Sequence, residues 1–523
     1  MMKRFVVLLG VAGLATLFLG ACSAPGPSSA KSSTHIPANV LTFAYPKTWI
    51  NLDPAESEAT ENDVLPEIYQ TLATLNVTTG QLVPELALSW SSSDGAKQWT
   101  FHLRPGVKFQ DGTPFTAEAV KLSYLRAKKL GQGTAPEMLS SVQSIDAVNP
   151  LTVQINLSRP QYFPDYAAAE YSMWIISPKD INKPSSWFKA GHGAGTGPYE
   201  WSSYAPNSQA ILHYFPGYWG GWKPGQFTTI VYDMNPAATA RAQEMASGQA
   251  QITYELPLES LKSYATSNTL KVVPLNIDGM QIMSLNTKRA PLNNLDVREA
   301  ISYAFPDAEI AKDFYGSYAS PQTTSLIPPG ILGHDTGLPG FPYNLAKAKQ
   351  LLAAAGYPHG GLTVQFDWVN TYPEQLLLAN LWKQDLAQIG VNLQIVTYTI
   401  NTSGAADGSA STTPDVQMGY WYPNYPGPLD YIGDLFTSYG CCDVSWWTSP
   451  ALNNAYTQAS ELLATNTAAA NQQLIKAQSI IFGNAIGFPV VDQYLTFVVA
   501  KDVTGLQEND FAADLYDLRL TGS

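Results

Sequence analysis

The apolar positions of this chain change period several times, and each change predicts a different element. Residues 5–19 form an apolar run of about fifteen residues behind Lys3 and Arg4. That run is too short and wrongly flanked for a spanning helix, and it has the layout of a secretory signal, residues 1–21. Residues 22–38 are rich in Ser, Ala and Pro without hydrophobic period, the composition of a flexible tether. Leu41, Phe43 and Tyr45 then alternate as in a strand, and Leu52-Asp53-Pro54 turns the chain. Trp99, Phe101 and Leu103 alternate, Pro105-Gly106 suits the centre of a type II turn, and Val107 and Phe109 return, which predicts a hairpin. Thr116 stands where it would cap a helix running to about Lys129, with Glu118 in the first turn. Leu151, Val153, Ile155 and Leu157 predict another half-buried strand, and the block as a whole reads as a compact α+β unit.

The pattern shifts near residue 170 and again near 284. Strand-like stretches at 209–215 and 229–234 precede Asn235-Pro236, a helix start, and Gly248, its stop. Ile252 and Tyr254 resume an extended stretch. Beyond Ser284 helix and strand alternate. A helix stops at Gly356, and Val364, Phe366 and Trp368 alternate as a strand. Leu377, Leu378, Leu381, Trp382, Leu386 and Ile389 then line one face of a helix, and Val391, Leu393 and Ile395 form the next strand. Strand, helix and strand of this length predict a parallel pair. Residues 401–413 read as a polar loop and 415–419 as a short strand. It leads into Tyr420-Trp421-Tyr422-Pro423-Asn424-Tyr425-Pro426. Two helical segments follow, the first starting at Pro450, and residues 488–500 form a long apolar strand.

Composition narrows the classes of function. Charged residues make up only 14% of the chain and the net charge is −13, which disfavours a nucleic-acid partner. Leu19-Gly20-Ala21-Cys22 closes the apolar run and resembles the bacterial lipobox, so Cys22 is the expected lipidated first residue after cleavage. An ordinary signal ending near a cysteine is the alternative. Of the three cysteines, Cys441 and Cys442 are adjacent, compatible with two free thiols or with a strained bridge in one turn. Six scattered histidines give no metal-ligand spacing. Gly191, Gly193, Gly195 and Gly197 miss the G-x-G-x-x-G pattern, and no G-x-S-x-G occurs. An enzyme is therefore not expected, nor a cofactor or a metal.

Several words, in order, resemble the family 5 extracellular solute-binding proteins, the oligopeptide-, dipeptide- and nickel-binding receptors of ABC importers. They include Leu82-Val83-Pro84-Glu85-Leu86-Ala87-Leu88-Ser89-Trp90, residues 99–109, Asp111-Gly112-Thr113-Pro114-Phe115-Thr116-Ala117-Glu118, Gly195-Thr196-Gly197-Pro198-Tyr199, Tyr218-Trp219, Asn286-Thr287-Lys288 and Asp296-Val297-Arg298. The resemblance implies an α/β, bilobal periplasmic-binding-protein-like (type II) fold with an extra small α+β domain. It places one lobe in residues 39–62, 171–283 and 491–523, the extra domain in 63–170 and the second lobe in 284–490. It further implies a monomer held at the membrane by its lipid, outside the cytoplasm. Such a receptor closes like a hinge on a short peptide and presents it to a membrane permease. An oligosaccharide or other neutral solute, or a sensor role on the same fold, are the alternatives.

The resemblance also places residues at the ligand. In peptide-binding relatives an aspartate after a Trp-containing strand end holds the ligand's amino terminus, and here that position is Asn424. An amide accepts from an ammonium without the strength of a charge-assisted bond, and it equally donates to a hydroxyl. By their chemistry Tyr420, Trp421, Tyr422 and Tyr425 would wall a cleft. Glu58, Tyr254 and Met283 match further positions near the ligand.

Overall fold

The computed structural model describes residues 39–521 apart from 58–60, 62, 77–80, 317, 322–323, 371–372, 439, 441 and 507–513. The apolar run, the tether, Cys22, Glu58 and Cys441 lie outside the described residues. Among the described residues no helix is long and apolar enough to cross a membrane.

A mixed sheet of eleven strands is the spine of the molecule. Its order runs Val391–Tyr398, Leu362–Val369, Val416–Trp421, Leu270–Leu285, Gly487–Ala500, Ile252–Tyr254, Val40–Tyr45, Thr229–Met234, Gln209–Tyr214 and Tyr199–Ala205, with Ala319–Pro321 beside Gly487–Ala500. The two central strands are the longest, at 16 and 14 residues. They form an antiparallel ribbon from Leu270 opposite Ala500 to Ser284 opposite Gly487, with slips in register between Asn276 and Gly279 and between Gln281 and Ile282. One end of the ribbon pairs with Ile252–Tyr254 and the other with Val416–Trp421. A single ribbon therefore joins two groups of strands.

The predicted alternation of Leu41, Phe43 and Tyr45 is a strand, with all three side chains buried. Phe43 stacks on Tyr232 at 5.5 Å and meets Tyr254 edge-on at 5.9 Å, which makes an aromatic core on that side of the sheet. The predicted parallel pair also forms. Leu362–Val369 and Val391–Tyr398 run in register across the helix Pro373–Gln388. Leu378, Trp382 and Leu386 are buried there while Leu377 is 54% exposed, so the apolar stripe is narrower than the sequence predicts.

A separate antiparallel sheet has the order Ala87–Ser93, Gln98–Leu103, Thr152–Leu157 and Val142–Asn149, and the helix Ala117–Leu130 accompanies it. The predicted hairpin from Trp99 to Phe109 does not form. Both edges of Gln98–Leu103 are already occupied by neighbouring strands. After Gly106, at φ +79°, the chain instead folds a small turn in which the Phe109 N–H donates to the Thr113 carbonyl at 2.8 Å. Val107 and Phe109 are still buried, by side-chain packing rather than by the ladder.

Three helix starts differ from the sequence reading. The helix after Asn235 spans Ala238–Ser247, because the Asn235 side chain accepts from the Ala237 N–H and holds the residues between them in a turn. The polar stretch at 401–413 contains the helix Ile400–Ala406, opened by a reciprocal Thr399–Thr402 capping box. A helix at Asp430–Phe436, with no apolar period long enough to announce it, follows the proline-rich turn.

The Gly191–Gly197 run serves packing. A Cβ on Gly195 would stand 1.8 Å from the Ile68 carbonyl oxygen, and one on Gly197 would stand 2.6 Å from that of Glu67. Nearby, Asp53 and Arg126 form a buried two-pronged ion pair, Nη1 to Oδ1 at 2.7 Å and Nη2 to Oδ2 at 2.6 Å. It ties the turn after the first strand to the helix Ala117–Leu130.

Candidate functional site

The strand Val416–Trp421 lies antiparallel to Leu270–Leu285, which sets Trp421 opposite Met280 and Tyr420 opposite Gln281. Past Trp421 the proline-rich turn swings the chain into Asp430–Phe436, a helix in which every residue is buried. Asp430 and Asp434 stand four residues apart, so their carboxylates share one helix face. Asp430 accepts from the Trp421 indole N–H and, at 3.1 Å, from the Asn424 backbone N–H. The Asn424 side-chain amide donates to Asp434 Oδ2 at 3.0 Å. The amide hydrogens of Asn424 are thus directed at the protein's own carboxylates.

This turn meets the helix Phe163–Ala167 and, through Tyr425 and Glu137, the short helix Ala135–Met138. Tyr425 is buried and packs edge-on against Tyr166, with ring centroids 4.6 Å apart. Gly427 lies so close to Asp165 that a Cβ there would stand 2.6 Å from its carboxylate oxygen. Gly433 similarly abuts Tyr456, whose hydroxyl would be 2.8 Å from an added Cβ. The seam between the two sides therefore carries Glu137, Asp165, Tyr166, Tyr425, Asp430, Asp434 and Tyr456.

Its electrostatics are one-sided. None of the ion pairs among the described residues involves Glu137, Asp165, Asp430 or Asp434. Burial, then the charge of Asp434, pushes the Glu137 carboxyl up to about 8. Burial pushes Asp434 up to about 6, against the Asn424 hydrogen bond that pulls it down. Asp430 is also raised well above the usual carboxylate range by burial and then by Asp434 and Glu137. Among the described residues no group of three His, Cys, Asp or Glu side chains could hold a metal ion.

The residues expected at a ligand fall in different places. Tyr420, Trp421 and Asn424 are half-buried around the proline-rich turn, and Tyr425 is interior to the seam. Met283 is fully buried in the apolar core, in the row of Met418 and Phe488. Tyr254 is buried on the far side of the ribbon, and its hydroxyl donates to Asp63 at 2.7 Å. In this structure neither presents a face to a solute. The sequence reading missed Glu137, Asp430 and Asp434. The spacing of Asp430 and Asp434 behind a Trp-containing turn was the available signal for two of them. Cys442 is disulfide-bonded, and its N–H donates to the Asp434 carbonyl at 3.0 Å.

The family model for bacterial extracellular solute-binding proteins, family 5 (middle region) matches residues 81–440. The glutathione-binding protein GsiB of Escherichia coli O1:K1 / APEC is 28% identical over 509 residues, covering 94% of each chain. Among solved structures, the periplasmic binding protein DppA from Helicobacter pylori, in complex with the peptide STSA, superposes with a TM-score of 0.78 at 23% identity, over 92% of this chain and 98% of that one. The dipeptide-binding protein from Pseudoalteromonas sp. SM9913, in complex with Met-Leu, also gives 0.78, at 22% identity over 92% and 100%. With its ribbon-joined sheet and its separate four-stranded unit, this chain has the bilobal fold of those receptors and belongs to the bacterial extracellular solute-binding proteins of family 5.

Proposed function

We propose that the chain is a lipid-anchored extracytoplasmic receptor of an ABC importer that captures short peptides and hands them to a membrane permease. The observation that carries this reading is the seam where Trp421, Asn424 and the Asp430–Phe436 helix meet Glu137 and Tyr166. It combines aromatic walls with carboxylates that no basic side chain neutralises. Peptides offer the matching chemistry, an ammonium, amides and apolar side chains. Residues 39–62, 171–283 and 491–523 form one lobe in this reading, 284–490 the other, and 63–170 the extra domain. The ribbon of Leu270–Leu285 and Gly487–Ala500 is the hinge, and its register slips near Asn276–Gly279 give it a place to bend. Cys22 carries the lipid, and the receptor works as a monomer without a cofactor.

Thermal melts of the purified protein against peptide and oligosaccharide libraries test this. A ligand that binds only the folded state at a hundred times its Kd adds about 2.7 kcal/mol of stability. Di- to tetrapeptides are expected to raise the melting temperature. Stabilisation by cello- or malto-oligomers with no response to peptides would overturn the peptide assignment.

A further inference from the structure

Away from the seam, the Gly- and Pro-rich loop after Gln209–Tyr214 holds rings that the fold leaves half-exposed. They are Phe215, Tyr218, Trp219 and Trp222, beside Tyr214, which is 38% exposed. Tyr516, brought in from the other end of the chain, joins them, its ring 5.0 Å from that of Tyr218 and 5.2 Å from that of Trp222. Tyr214 meets Trp222 at 5.3 Å and Tyr218 meets Trp219 at 5.5 Å. Several of their polar tips are already paired within the protein. The Trp222 indole N–H donates to the Phe215 carbonyl at 2.9 Å, the Trp219 indole N–H to Gln70 at 2.7 Å, and the Tyr516 hydroxyl to the Gly221 carbonyl. Rings whose donors are paired leave water without stranding a polar group.

The same patch lies beside the first described residue. The Asn39 carbonyl accepts from the Thr228 and Thr229 N–H groups at 3.0 and 3.2 Å, and the Thr228 carbonyl accepts from the Tyr214 N–H at 2.9 Å. Two strand spacings, about 10 Å, therefore separate Asn39 from Tyr214. The sixteen residues 23–38 that join Asn39 to Cys22 reach at most roughly 55 Å. A folded body of this length is about 60 Å across. With Cys22 in the membrane, the face around Asn39 is therefore the one kept nearest to it. The charges on that face nearly cancel. Arg104, 4.1 Å over the Trp219 ring, and exposed Lys223 and Arg519 stand against exposed Asp514 and Asp517. A nearly neutral surface of Trp and Tyr rings suits the headgroup layer of a bilayer, where such rings concentrate.

We propose that the rings of Tyr214, Tyr218, Trp219, Trp222 and Tyr516 form a membrane-contact surface that rests in the headgroup layer of the bilayer carrying the Cys22 lipid. This rests on the lipid-anchored reading and adds how the body is oriented on the membrane. The sheet edge made by Gln209–Tyr214 and Tyr199–Ala205 lies against the bilayer, and the opposite edge, Val391–Tyr398, stands away from it. Nine strand spacings, roughly 40 Å, separate the two edges.

Quenching of a site-attached fluorophore tests this in the full lipidated chain. The dye is carried by Pro216→Cys, on the exposed loop beside the rings, or by Asn392→Cys, on the exposed far edge. The protein is reconstituted in phosphatidylcholine vesicles with and without a headgroup nitroxide lipid. Quenching at position 216 is expected to be at least threefold stronger than at 392, and Trp222→Ser is expected to erase most of that excess. Tyr214→Ser, at the most exposed ring, gives the same reading where Trp222→Ser fails to fold. A merely structural role for the rings would leave the ratio unchanged in a folded variant, and that result overturns the proposal. Equal quenching at both positions in protein that floats with the vesicles overturns it too, while the anchor stands. Should the chain not float with the vesicles, the anchor reading fails, and excess vesicles added to the Cys22→Ser protein decide the surface. Stronger quenching at 216 than at 392 then supports it, and none overturns it. If deleting residues 23–38 from the Cys22→Ser chain dims the dye at 216 without lipid present, that segment covers the rings and the proposal is overturned.

Discussion

Asp53→Ala is expected to cost the protein roughly 3–5 kcal/mol of stability, because it strands a buried guanidinium. Arg126 points both of its terminal nitrogens at Asp53 from the helix Ala117–Leu130 and lies 4.6 Å above the Phe188 ring. Little of either side chain reaches solvent, so water cannot replace the lost carboxylate. Asp53 also accepts from the Ala55 N–H at 3.0 Å, which shapes the turn after the first strand. The double variant Asp53→Ala with Arg126→Met is expected to recover part of the loss, since it removes the unpaired charge. Urea unfolding measures both. A midpoint for Asp53→Ala indistinguishable from the parent would show that the pair is dispensable.

Raising the pH from 5 to 8.5 is expected to lower the melting temperature of the unliganded protein. Burial raises Glu137 and Glu170 to about 8, Glu85 to about 7 and Asp434 to about 6. A carboxyl whose folded value lies above its unfolded one binds more protons when folded. Its contribution is complete below the unfolded value near 4 and is lost as pH rises through the folded value. The window for these groups therefore opens above pH 4 and closes near 8. Glu137→Gln, which stays neutral throughout, is expected to flatten the part due to the seam. Melts that hold steady or rise between pH 5 and 8 would contradict the assigned directions.

Local pattern revealed most of the individual elements. The alternation of Leu41, Phe43 and Tyr45 and the βαβ unit around Trp382 were legible because one face of each is buried against the core. The Trp99–Phe109 segment misled because alternation reports burial and not the partner strand, and Gln98–Leu103 pairs with strands before and after it in the chain. The long strand Leu270–Leu285 escaped notice because Asn276, Asp278 and Gly279 interrupt its apolar character at the point where its register slips. The candidate site was legible in part. Asn424 and its aromatic neighbours stand in the turn that their spacing indicated. The missing negative charge came from Asp430 and Asp434 on a short helix and from Glu137, far away in sequence. No one-dimensional pattern joins those three acids, since tertiary packing alone brings Glu137 to the other two.

The reading of this chain as a clamp on a peptide is tested most directly by a crystal structure of the protein grown with Ala-Ala-Ala. The account predicts the tripeptide at the seam, against Trp421 and Tyr425, with its ammonium nitrogen about 3 Å from the carboxylates of Glu137 or Asp434. A tripeptide ordered anywhere else, with Asn424 and the two acids arranged as they are here, would contradict it.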